Sequence, residues 1–104
     1  MSYKIVFDRP AEKQFRRLPT DIRQALARRV SALTEDPRPA ESRKLEGTDD
    51  CYRLRQGDYR LVYTILEELI VVLVLRVGHR GDVYRGLPDL ARALRKRKKR
   101  ADSG

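Results

Sequence analysis

At 104 residues, 40% apolar and 38% charged, the chain has room for one domain with a modest core, and no apolar run nears the roughly 18 residues that a membrane span needs. One cysteine, Cys51, excludes an internal disulfide and fits a reducing compartment, and one histidine beside one cysteine excludes a zinc site of ordinary ligand count within one chain. The net charge of +9 points to a polyanionic partner, yet Arg95, Lys96, Arg97, Lys98, Lys99 and Arg100 carry six of these charges, so that six from nine leaves the rest only mildly basic at +3.

The first eight residues lack a basic-then-apolar export pattern, so a cytoplasmic location is expected. Tyr3, Ile5 and Phe7 alternate with Lys4 and Val6, which predicts a strand with one buried face. Asp8 offers an N-cap oxygen, Pro10 is tolerated in a first helical turn, and Ala11, Phe15 and Leu18 fall at helical spacing, so a short helix is predicted to about Leu18. Pro19 breaks it. A second helix follows from Pro19-Thr20-Asp21, with Ile22, Leu26, Val30 and Leu33 as its apolar stripe, and ends at Asp36-Pro37-Arg38-Pro39 because a residue before proline is pushed out of helical geometry. A polar loop is expected as far as Asp50.

Beyond it the periodicity changes. Residues 51–55, 59–66 and 69–77 are runs rich in Tyr, Val, Ile and Leu, separated by Gln56-Gly57-Asp58 and Glu67-Glu68, and such short turns predict antiparallel neighbours. The third run is apolar nearly throughout, as a strand covered on both faces would be, and Gly78 closes it. Leu87-Pro88-Asp89-Leu90 opens a last helix that leads into the basic run. The expected fold is α+β: two N-terminal helices packed on a curled, mainly antiparallel four-stranded sheet in the order β-α-α-β-β-β, with a C-terminal basic helix. Residues 1–94 are expected to form the domain and residues 95–104 a basic, flexible tail.

The chemistry is narrowed by what is missing. There is no glycine-rich phosphate loop and no Gly-x-Ser-x-Gly elbow, and Glu67-Glu68 reads as an exposed turn rather than a carboxylate pair. What remains is cationic. Arg53 and Arg55 alternate along one strand and project from one face, Arg60 opens the next strand, and Arg80 and Tyr84 follow the end of the third. Each has a plain structural reading: an exposed sheet face for Arg53 and Arg55, an edge position or a salt bridge to Asp58 for Arg60, a pair with Asp82 for Arg80, a half-buried core aromatic for Tyr84. Together they have one coherent use. A guanidinium fork matches phosphate, an aromatic plane stacks a base, and fixed cations stabilise the charge of a phosphoryl-transfer transition state. RNA supplies its own nucleophile in the 2′-hydroxyl.

The segments Lys44-Leu45-Glu46-Gly47, Cys51-Tyr52-Arg53-Leu54-Arg55, Gly57-Asp58-Tyr59-Arg60-Leu61-Val62-Tyr63, Val77-Gly78-His79-Arg80 and Asp82-Val83-Tyr84 are similar to the RelE branch of the RelE/ParE toxin superfamily, over about residues 3 to 90. The resemblance implies a type II toxin that cleaves mRNA in the ribosomal decoding site without metal or other cofactor, leaves a 2′,3′-cyclic phosphate and a 5′-hydroxyl, and is silenced by a RelB-like antitoxin. It implies substrate activation at Arg53 and Arg55, phosphate stabilisation at Arg60, a leaving-group role for Arg80 and base stacking on Tyr84. Lys44, His79, Arg85 and the run Arg95, Lys96, Arg97, Lys98, Lys99, Arg100 are expected to bind RNA or ribosome. Close members carry lysine where this chain has Arg53 and Arg55, and a guanidinium cannot accept the proton that a neutral lysine can. The competing readings are a ParE-like protein that inhibits DNA gyrase without chemistry, and a plain RNA- or ribosome-binding module.

Overall fold

In the computed structural model, residues 2–48 and 50–86 are described, with the backbone alone at Arg80 and Asp82. Strand β1 (Lys4–Phe7) leads into helices α1 (Arg9–Arg16) and α2 (Thr20–Ala32), then strands β2 (Arg43–Lys44), β3 (Cys51–Gln56), β4 (Tyr59–Leu66) and, after a 3₁₀ turn at Glu67–Leu69, β5 (Val71–His79), followed by the 3₁₀ segment Arg80–Tyr84. The strands form one five-stranded sheet in the order β1-β5-β4-β3-β2. The expected four strands are therefore one too few. Arg43 and Lys44, read from sequence as loop, pair antiparallel with Arg53 and Tyr52 and extend the sheet beyond β3. The sheet is also mixed, because β1 lies parallel to β5, with Phe7 opposite Val74. The predicted helix from Leu87 and the basic run 95–100 lie outside the described residues.

Both helices cover one face of the sheet. Ala11, Leu26, Val30 and Leu33 pack with Leu54, Leu61, Tyr63, Ile65, Val72, Val74 and Val77 in the main core. Burying each large aliphatic side chain contributes about 1.5–3 kcal/mol. Ala11 is fully buried, which lets α1 lie close on β5, and Phe15 meets Phe7 edge-on at 5.2 Å between ring centroids. Asp8 does not cap α1 with its side chain, contrary to expectation; its backbone carbonyl accepts the first helical bond from Glu12 at 2.9 Å instead. Beyond Val74, where β1 has ended, the Gln14 side chain of α1 accepts the Val77 N–H at 2.8 Å and stands in for a strand neighbour. After α2, the buried Tyr63 hydroxyl donates to the Pro37 carbonyl at 2.8 Å, and Arg38 ion-pairs with Glu67 at 2.5 Å. No helix among the described residues is long and apolar enough to cross a membrane.

The opposite face carries a smaller cluster of Cys51, Val62, Leu75 and Val83, with Leu45, Leu73 and Tyr84 against it. What decides the character of this face is an irregularity in β5. Tyr63 pairs with Val74 but Val62 pairs with Arg76, so Leu75 is an extra residue, a β-bulge. Up to Val74 the even-numbered residues of β5 face the helices, whereas past the bulge it is Val77 that does. Strand geometry has period two, and this one-residue slip turns Arg76 and Gly78 away from the helices.

Candidate functional site

The β3–β4 hairpin sets the geometry of the face opposite α1 and α2. Gln56 pairs with Tyr59, so its loop is the two residues Gly57 and Asp58, and Gly57 has φ 61. A first central residue with positive φ is what a type II′ turn requires, and glycine meets that demand without steric cost. The turn fixes the register in which Arg55 faces Arg60 and Arg53 faces Val62.

Two cross-strand rows result. In one, Arg43, Arg53, Val62 and Arg76 lie side by side across β2, β3, β4 and β5. In the other, Arg55, Arg60 and Gly78 do so across β3, β4 and β5. The rows are separated by two residues along each strand, or about 6.6 Å. Like charges directly opposed across strands cost roughly 0.2–1 kcal/mol per pair. None of these arginines is ion-paired among the described residues; the arginine ion pairs there are Arg16 with Glu12 and Arg38 with Glu67. Instead the guanidinium groups lean on main-chain carbonyls. Arg55 Nε and Arg60 Nη1 both donate to Gly57 O, at 3.4 and 3.1 Å, and Arg76 Nη1 donates to Leu75 O at 2.8 Å. A carbonyl satisfies a donor but not a charge, so the face keeps a strong appetite for anions.

The 3₁₀ segment folds across this surface. Val83 is 3% exposed, and a Cβ added at Gly78 would meet Val83 Cγ1 at 3.1 Å, so the bare glycine backbone lets the segment sit down. That seating brings the half-buried Tyr84 to the first row, where Arg53 Nη1 donates to its hydroxyl at 3.3 Å. From behind, Arg29 of α2 donates to the Arg55 carbonyl and to Gln56 Oε1, tying the end of β3 to the helix.

Of the residues singled out from sequence, Arg53, Arg55, Arg60 and Tyr84 are brought together here, and the backbone of Arg80 opens the segment that carries Tyr84. Others stand apart. Lys44 pairs with Tyr52, whose ring belongs to the helix-side core, so it lies on the other face at the sheet edge. His79 pairs with Tyr59 on that same side, packs edge-on against its ring at 5.2 Å, and has Nε2 3.9 Å from Asp58 Oδ2. Arg85 is exposed in the turn after the 3₁₀ segment. The plain structural alternative for Arg60, a salt bridge to Asp58, is not among the ion pairs; Asp58 has His79 beside it. Two cations of the face were missed: Arg43, because β2 reads as loop, and Arg76, because nothing local announces the bulge. The one available signal was that Arg76 is the sole charge in the run 71–77. No cluster of three or more His, Cys, Asp or Glu residues suited to a metal ion occurs among the described residues.

Fold and site thus define a class: a small α+β protein with two helices on one face of a mixed five-stranded sheet and an anion-seeking arginine face on the other. A family model described as the ParE toxin of type II toxin–antitoxin systems matches residues 5–84. The mRNA interferase toxin RelE of Escherichia coli K12 is 41% identical over 88 residues, covering 81% of this chain and 92% of that protein. The crystal structure of the isolated E. coli RelE toxin superposes with a TM-score of 0.70 at 36% identity, over 76% of this chain and 85% of that one. The toxin of the intact E. coli RelBE toxin–antitoxin complex does so with a TM-score of 0.67 at 40% identity, over 75% and 96%. The chain belongs to the RelE/ParE toxin superfamily, on its RelE branch.

Proposed function

We propose that the chain is the toxin of a type II toxin–antitoxin pair and acts as an endoribonuclease that cuts mRNA in the decoding site of the ribosome. The observation that carries this reading is the pair of arginine rows, lacking carboxylate partners among the described residues, with Tyr84 hydrogen-bonded to Arg53 of the first row. Kinship with the E. coli protein named an mRNA interferase supports it.

In this reading Arg55 and Arg60 exchange the Gly57 carbonyl for the scissile phosphate, a stronger, charge-assisted partner. A base stacks on Tyr84, whose orientation Arg53 fixes. The 2′-oxygen attacks phosphorus, the bond to the 5′-oxygen breaks, and a 2′,3′-cyclic phosphate and a 5′-hydroxyl result; Arg80 stabilises the departing oxygen, which takes its proton from water. The described strand residues of this face include no carboxylate or imidazole; in this reading the 2′-hydroxyl proton passes to solvent or to a phosphate oxygen. Alignment and fixed charge supply the acceleration. The proposal includes a cytoplasmic location, a RelB-like antitoxin partner, a toxin domain spanning residues 1–94 and a basic tail at 95–104.

The test is to map mRNA 3′ ends after induced expression. Codon-positioned cuts are expected with the parent chain, and a loss of more than about 100-fold in cleavage with Tyr84→Ala or Arg60→Ala. A second reading follows from the family model's own description, which names ParE toxins. Intact mRNA together with DNA-damage signalling would establish gyrase inhibition in place of cleavage.

A further inference from the structure

Resting on the reading of this face as an RNA site, we propose that Arg43 and Arg76 form with Arg53 a second phosphate-binding row, which holds the phosphodiester next to the scissile one. Three observations converge on it. The register puts Arg43 beside Arg53, and Arg53 and Arg76 on either side of Val62, in a single line across four strands. That line runs beside the Arg55–Arg60 row at about 6.6 Å, a separation of the order of that between successive phosphates of a single strand. And Arg76 reaches this face only through the bulge at Leu75.

Arg76 is the more telling of the two. It is half-buried, against the apolar floor of Val62 and Leu75, and its guanidinium reaches only its neighbour's carbonyl, with no carboxylate partner among the described residues. Partial burial of a charge without a counter-charge raises its affinity for an incoming anion. Arg43 is exposed at the outer strand and opposes Arg53, so it widens the row toward the sheet edge. A row of this kind engages backbone rather than base, and so positions the strand without reading its sequence. It strengthens binding of substrate and transition state alike, which raises affinity and leaves the chemical step unchanged.

The experiment titrates toxin on ribosomes programmed with a defined mRNA and follows single-turnover cleavage, comparing the parent chain with Arg43→Met/Arg76→Met, which keeps apolar stems and removes both charges, and with Arg76→Lys. The double variant should raise the half-saturating concentration about tenfold or more and leave the plateau rate within about twofold, while Arg76→Lys recovers most of the affinity. Anisotropy of a fluorescent, 2′-O-methyl oligoribonucleotide, read across salt concentrations, supplies the second arm. Losing two phosphate contacts flattens the salt slope by about 1.4. Unchanged affinity in both arms, or a lowered plateau at unchanged half-saturation, overturns the row. A parent chain that cleaves nothing overturns the nuclease reading instead; the anisotropy arm still decides the row, since the oligonucleotide cannot be cut. Because Arg43 is exposed, an Arg43→Met single variant with unaltered thermal midpoint guards against misfolding at position 76.

Discussion

In the proposed reaction, arginine at 53 and 55 can bind and polarise but cannot take a proton, because a guanidinium has no free lone pair to accept one. A lysine in the same field differs. Placed at position 53, with Arg43 on one side and Arg76 beyond Val62 on the other, its ammonium would be disfavoured by like charges and its pKa drawn down, leaving a neutral fraction able to accept the 2′-hydroxyl proton. Arg53→Lys is therefore expected to quicken single-turnover cleavage severalfold near neutrality. It should also introduce an inflection in the rate between about pH 7 and about pH 9 that the parent lacks. Superimposable pH profiles would show that position 53 has no part in proton removal. Legibility at this scale was uneven for physical reasons. Arg53, Arg55 and Arg60 could be read because alternation along a strand places residues on one face without knowledge of the rest of the fold. Lys44 and His79 could not be assigned to a side, since each faces the way its cross-strand partner faces, Tyr52 and Tyr59 respectively, and pairing is a long-range fact.

Elements with a long apolar signature were legible, and those without one were not. The stripe of α2 and the runs of β4 and β5 predicted themselves, because burying them is what drives the chain together. Strand β2 is two exposed cations, stabilised by pairing with β3 rather than by burial, so no hydropathy pattern marks it. The bulge is invisible for a different reason: in a run apolar on both faces, Leu75 satisfies either face, and only the seating of Val77 in the helix-side core decides the slip. Downstream of the bulge, Gly78 is where the 3₁₀ segment lies on the sheet. A methyl there would press on a β-branched side chain at 3.1 Å, and a valine buried to 3% exposure has little room to rotate away. Gly78→Ala should lift Val83 and carry Tyr84 off Arg53. The expected outcome is a cleavage rate lower by about tenfold or more with a stability loss of about 1–3 kcal/mol, read by single-turnover assay and denaturant titration. Full activity in this variant would mean that the seating of the segment is immaterial to function.

Among the described residues the sheet's helix side holds the larger core, and its other face carries the arginine rows beside a smaller apolar cluster. On the helix side Tyr63 joins the chain after α2 to the sheet, and burial pushes its pKa up to about 12 from an ordinary 10. The neutral phenol is thus favoured in the folded state, so its contribution is complete below about pH 10, where the unfolded chain's tyrosine begins to ionise, and is lost as the pH rises toward 12. Tyr63→Phe should lower stability at neutral pH by about 1 kcal/mol, through loss of the bond to Pro37, and flatten the alkaline fall in denaturation midpoint. An equally steep fall would place the alkaline weakness elsewhere. On the opposite face the opposed pair Arg55–Arg60 is a standing electrostatic cost that the fold would be better without. Sites that crowd like charges for function trade stability for it. Arg55→Glu converts the repulsion into a cross-strand ion pair and should be worth roughly 0.2–1 kcal/mol, raising the thermal midpoint by about 1–6 °C in a domain of this size. The same change sets a carboxylate against the scissile phosphate, so cleavage should fall by more than about 100-fold. Calorimetry and the ribosome assay on one preparation test both halves together. A variant that is less stable and inactive would mean that Arg55 supports the fold, whereas a more stable and inactive one shows the arginine face to be maintained for its substrate.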